Sequence, residues 1–127
     1  MVLVAVEDLI FLSKVQETAR AVGVTIETVS PAHIAERAAR GDVAAVILDL
    51  NHRSGAAVET VRALKSQPAT RHIPVLGFLS HVQTDLAAAA REAGCEHVMA
   101  RSAFSVQLPQ LLQNLAGTPA APAPPRS

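Results

Sequence analysis

Five short apolar runs divide this chain: "VLVAV" at 2–6, "VTIETV" at 24–29, "VAAVIL" at 43–48, "IPVLGFL" at 73–79 and "HVMA" at 97–100. Runs this short and continuous suit strands buried on both faces, since a sheet wetted on one side would alternate apolar with polar residues. The segments between them repeat apolar residues every three or four positions, the period of a helix packed along one stripe. Leu9, Leu12, Val15, Ala19 and Val22 form the first stripe, closed by Gly23 as a C-cap. Ser30-Pro31 is an N-cap followed by a proline suited to a first turn, and Ile34, Ala35, Ala38 and Ala39 then face one way as far as Gly41. A third helix is expected from about Gly55 to Ser66 with Val58, Val61 and Leu64 inward. A fourth is expected from about Thr84 to Ala93, carrying Leu86 and a run of alanines before Gly94. The last carries Leu108, Leu111, Leu112 and Leu115, and because Pro109 suits only a first turn it is expected to begin near Gln107.

Buried strands alternating with helices require right-handed crossovers and a parallel sheet covered on both faces. The predicted fold is therefore α/β and flavodoxin-like: a (βα)5 doubly wound, five-stranded parallel sheet. "VLVAV" is apolar throughout, as a central strand should be, whereas "VTIETV" alternates and ends in polar residues, as an edge strand can. That difference favours the strand order 2-1-3-4-5. The predicted domain spans residues 1–116, and the Pro/Ala-rich "GTPAAPAPPRS" at 117–127 is expected to be a disordered tail.

Half of the 127 residues are apolar, enough for one core and too few for two. Formal net charge is zero, without the basic excess of a stand-alone nucleic-acid binder. The single Cys95 has no partner for a disulfide or thiolate metal site and reads as a small hydrophobe in a reducing compartment. No apolar run approaches the ~20 residues needed to span a bilayer, and "MVLVAVEDLIFL" lacks the basic start of a signal peptide. A soluble, cytoplasmic domain with no membrane partner is expected.

In a doubly wound sheet, ligands sit beyond the carboxyl ends of the strands, at the switch point between strands one and three. Strand one ends in Glu7-Asp8, strand three in Asp49, strand four in Ser80-His81 and strand five in Arg101-Ser102. Three carboxylates brought together there repel unless a cation sits among them, and Mg²⁺ is the ion that one or two carboxylates plus waters hold. A hydroxyl and a permanent cation complete an inventory suited to a phosphoryl group. Arg101 and Mg²⁺ would neutralise its oxygens, Ser80 would donate a hydrogen bond, and Asp49 would be the nucleophile.

Over about residues 1–116 these features resemble the receiver domains of two-component response regulators, of which the chemotaxis receiver is the small stand-alone type. The resemblance implies that Glu7 and Asp8 are the acidic pair after strand one, Asp49 the phosphoacceptor and Ser80 the strand-four hydroxyl. It implies that the backbone carbonyl of Asn51 is a further magnesium ligand. It also places Arg101, seven residues after the Gly of "EAG", where the family carries a lysine. The implied partners are a histidine kinase or phosphotransfer protein and a downstream protein, with "RSAFSVQLPQ" as a candidate surface and a homodimer left open.

The departures are specific. "DLNHRSG" is short and lacks the usual Met-Pro pair, Val98 stands where receivers often carry a switching aromatic, and Arg101 is shaped to pair bidentately with Asp49. They are similar to those of atypical receivers, so a phosphorylation-independent interaction module is the alternative to a phosphorylated receiver. A small-ligand enzyme is the third reading, and the absence of Gly-x-Ser-x-Gly and of Gly-x-Gly-x-x-Gly counts against it. The bland readings stand beside these: Glu7-Asp8 as helix-one N-terminal charges, Ser80 as a cap of helix four, and His52 and His81 as rim residues of the pocket.

Overall fold

The computed structural model describes residues 1–52, 54–80 and 83–117. The expected tail, from residue 118 onward, and His81 lie outside the described residues. Five strands, β1 (Val2–Ala5), β2 (Ile26–Thr28), β3 (Ala45–Asp49), β4 (Val75–Leu79) and β5 (His97–Ala100), alternate with five helices, α1 (Leu9–Val22), α2 (Pro31–Ala39), α3 (Ala57–Ser66), α4 (Thr84–Ala93) and α5 (Arg101–Gly117). All strand pairs are parallel and the order is β2-β1-β3-β4-β5, the flavodoxin-like arrangement.

β1, β3 and β4 are central and almost wholly buried, and their period of two sends alternate side chains to two cores. Val2, Val4, Ala45, Ile47, Leu76 and Phe78 pack against α1 and α5. Leu3, Ala5, Val46, Leu48 and Val75 pack on the opposite face with Ile34 of α2, Val61 and Leu64 of α3 and Ala90 of α4. Neither face can be wetted, which is why these strands read as continuous apolar runs. β2 is short and half-exposed, as an edge strand can be.

The helices begin and end for local reasons. Asp8 caps α1 through Oδ1, which accepts the N–H groups of Ile10 (2.9 Å) and Phe11 (3.2 Å). Gly23 ends the helix at φ 77°, a left-handed conformation that a Cβ would strain. Ser30 occupies the N-cap position of α2 as expected, but its hydroxyl pairs with His33 Nδ1 at 2.7 Å and makes no bond to the helix backbone.

Four expectations need correction. Leu9 is 76% exposed, and the buried stripe of α1 is Phe11, Val15 and Ala19. Ala39 is exposed on α2, and on α3 the buried face is Ala57, Thr60, Val61 and Leu64, with Val58 only half-buried. The last helix begins at Arg101 and carries Pro109 in its interior. An interior proline forfeits a backbone hydrogen bond, but Phe104, Leu108, Leu112 and Leu115 are all buried along one face. A helix starting near Gln107 would bury the three leucines as well; what the longer helix adds is Phe104, fully buried and stacked on Phe78 at 4.9 Å.

Candidate functional site

The topology brings the carboxyl ends of β1, β3, β4 and β5 to one edge of the sheet, so residues far apart in sequence become neighbours. Asp49 is the last residue of β3 and only 5% exposed. Its Oδ1 accepts the Asn51 N–H at 2.9 Å, and its carbonyl accepts the His52 N–H at 3.1 Å. The carboxylate thus turns the chain it terminates, the local role Asp plays in turns. His52 lies close by, half-buried, with Nδ1 3.2 Å from the Ser54 N–H.

Asn51 ties two loops together. Its Oδ1 accepts the Ser80 N–H at 2.7 Å and its Nδ2 donates to Gln83 Oε1. The sequence singled out Asn51 for its backbone carbonyl; its side chain carries the link between β3 and β4. Gln83 was missed, because a polar loop residue gives no signal until its partner 32 positions away is brought beside it. Ser80 is exposed just past β4 and does not cap α4, whose N-cap is Gln83.

Arg101, expected to face Asp49, pairs instead with Asp8: Nη2 to Oδ2 is 2.8 Å. Its guanidinium also lies over the ring of Phe11, 4.2 Å from the centroid. Phe11 in turn contacts Phe78 edge-on at 5.3 Å, and Phe78 stacks on Phe104 at 4.9 Å. The Arg101 hydrogen bond first, and the Phe11 N–H second, hold the Asp8 carboxyl below the usual carboxylate range. The planar, delocalised charge of arginine permits pairing and stacking at once.

Glu7, Asp8 and Asp49 do not form a preassembled metal cage: among the described residues, no three His, Cys, Asp or Glu side chains are grouped to hold an ion. Both Asp8 oxygens are engaged, one by the first turn of α1 and one by Arg101. Magnesium nevertheless needs only one or two carboxylates and fills its octahedron with water. Asp49 and Asp8 are oxygen donors of the kind such an ion takes, and Oδ2 of Asp8 is shared with Arg101.

A groove of about 850 Å³ opens beside the site between α4 and α5, with Ser80, Gln83, Ala87, Val98 and Arg101 in its lining. Val98 is half-buried there, where a larger side chain would project into that space. "RSAFSVQLPQ" forms the first turns of α5, and its Phe104 and Leu108 are core residues, leaving Val106 exposed. Among the described residues no helix is long and apolar enough to cross a membrane.

No family model matches the sequence, and no curated relative matches it. Solved structures do. A response regulator from Hahella chejuensis superposes with a TM-score of 0.82 at 17% identity, over 95% of this chain and 98% of that one. The receiver domain of a sensor histidine kinase from Pseudomonas aeruginosa PAO1, with a magnesium ion coordinated in its active-site cleft, gives 0.78 at 16% identity over 91% and 95%. A phosphorylated cyanobacterial phytochrome response regulator gives 0.72 at 22% identity over 94% and 96%. At such identities the likeness is one of fold, and it runs along nearly the whole length of each chain.

Proposed function

We propose that this domain is a phosphoacceptor receiver in which Asp49 takes a phosphoryl group from a histidine kinase, a phosphotransfer protein or a small phosphodonor. The observation that carries the reading is a carboxylate only 5% exposed at the open end of β3, beside the ends of β1, β4 and β5. A carboxylate set this deep among apolar strand residues needs hydrogen bonds or a cation around it, and the Asn51 N–H supplies one of them. A carboxylate oxygen of Asp49 attacks phosphorus, a P–O bond forms, and the bond from phosphorus to the donor nitrogen or oxygen breaks as the donor leaves with its electron pair. The Asn51 N–H orients the carboxylate, the Ser80 hydroxyl donates to a phosphoryl oxygen, and Arg101 balances its charge. A divalent cation held by Glu7, Asp8, Asp49 and the Asn51 carbonyl would neutralise the remaining phosphoryl oxygens. The magnesium in the Pseudomonas cleft and the phosphorylated state of the cyanobacterial regulator support both parts of this reading. The chain itself acts as a switch for a downstream protein partner, for which the groove between α4 and α5 offers a surface.

Intact-mass measurement after incubation with acetyl phosphate and Mg²⁺ tests the reading. One added phosphoryl group, labile to hydroxylamine and absent from Asp49→Asn, is the expected result. No adduct on the folded protein, or an equal adduct on Asp49→Asn, overturns it and leaves a phosphorylation-independent interaction module.

A further inference from the structure

The acidic edge of the sheet already has a cation of its own. Asp8 spends Oδ1 on the N–H groups of Ile10 and Phe11 and Oδ2 on Arg101. The first set holds the start of α1 and is not exchangeable without unwinding a turn; the Arg101 contact is a single hydrogen bond between partly exposed groups, with side-chain exposures of 32% and 43%. The guanidinium also lies over the ring of Phe11, 4.2 Å from its centroid. Phe11 is 6% exposed and locked by contacts with Phe78 and Phe104, with centroids 5.3 and 5.7 Å away, so it is a fixed platform.

We infer that Arg101, clamped between Asp8 and Phe11, is a latch on the site: a divalent cation taking Asp8 Oδ2 competes with the guanidinium that holds it, and the released guanidinium is the one that meets the incoming phosphoryl group. Metal entry and arginine release are then a single exchange of cations at one carboxylate oxygen. Arg101 acts as a competitor of the metal and Phe11 as a positioning residue that sets how strongly it competes. The inference rests on the phosphoacceptor reading of Asp49 and specifies how that site is regulated. A lysine would compete less well, since an ammonium has no planar face to lay on the ring while it pairs with the carboxylate.

Mg²⁺ titration of the full chain, followed by calorimetry and by the amide resonances of Asp49 and Asn51, tests it on wild type, Arg101→Gln and Phe11→Leu. Removing the exposed ion pair together with its stacking contact on Phe11 is expected to tighten Mg²⁺ binding about tenfold in Arg101→Gln. Phe11→Leu leaves every charge in place and is expected to tighten binding by a smaller factor, which a general field effect would not do. Unchanged or weaker Mg²⁺ binding in Arg101→Gln overturns the latch, as does an absence of binding in both proteins. An unchanged affinity in folded Phe11→Leu overturns the role of the ring. The mass measurement separates this outcome from the broader one: a phosphoryl adduct with the same Mg²⁺ dependence in wild type and Arg101→Gln defeats the latch and spares the acceptor. No adduct together with tighter metal binding in Arg101→Gln does the reverse.

Discussion

Asp8 shows how one side chain serves two structures. It caps α1 and pairs with Arg101, and the two roles separate by substitution because asparagine caps a helix about as well as aspartate while carrying no charge. Its folded pKa lies below the ordinary value of 3.8, so the ionised form stabilises the fold; that stability is present above pH 3.8 and is lost as pH falls through the lower folded value. Asp8→Asn should therefore lower the melting temperature by a few degrees at neutral pH, with the difference from wild type closing in acid below that value. Asp8→Ala should lose more at neutral pH, because the N–H groups of Ile10 and Phe11 also lose their acceptor. Thermal melts of the three proteins across pH check both statements; a deficit in Asp8→Asn that persists undiminished in acid would show that its charge is not the cause. Cys95 behaves as the composition suggested: it is buried, and desolvation pushes its thiol pKa up.

At the scale of elements, the placement of Asp49 depends on a glycine in the neighbouring strand. Gly77 of β4 stands against Leu50, and a Cβ built there would lie 2.8 Å from Leu50 Cγ and Cδ1 and 2.9 Å from Cδ2. Leu50 is 4% exposed and follows Asp49 directly, so it cannot yield without moving the turn that orients the carboxylate. Gly77→Ala is expected to destabilise the domain by roughly 1–3 kcal/mol, the usual result of overpacking a filled core, despite alanine's better strand propensity. Urea denaturation reads the loss and amide shifts at Asp49 and Asn51 read the displacement. A variant as stable as wild type, with those resonances unmoved, would mean that the sheet absorbs the methyl group elsewhere. The sequence carried no sign of this, since a glycine in an apolar strand reads only as a weak position until its neighbour is known.

Across the whole molecule, a change at the site has to travel through the groups that actually touch it. Val98 is β-branched, stiff at χ1 and half-buried at the groove, without the reach of an aromatic side chain. Arg101, in contrast, heads α5 and rests on a ring stack that continues into Phe104 of the same helix. A switch needs an element whose contacts differ between its two states. Val98→Ala is accordingly expected to leave phosphoryl lifetime and partner affinity nearly unchanged. Arg101→Lys should keep or raise the phosphoacceptor behaviour. Abolition of the response by Val98→Ala, with Arg101→Lys silent, would place the switch on β5 instead.

The order of elements, the parallel sheet they form and the edge at which its strands end are legible in the sequence alone. Those follow from periodicity and from strand ends, which are local properties, and from the strand order that parallel crossovers leave available. The tertiary structure decided which carboxylate Arg101 takes, that Phe11 rather than Leu9 faces inward, and that α5 begins at Arg101 despite Pro109. Each of these turns on a comparison between partners distant in sequence. The cost of an interior proline is set against the burial of Phe104 between α1 and β4, and Arg101 finds an Asp8 that lies 93 positions away in sequence. Only the folded distances enter that balance, and spacing along the chain does not contain them.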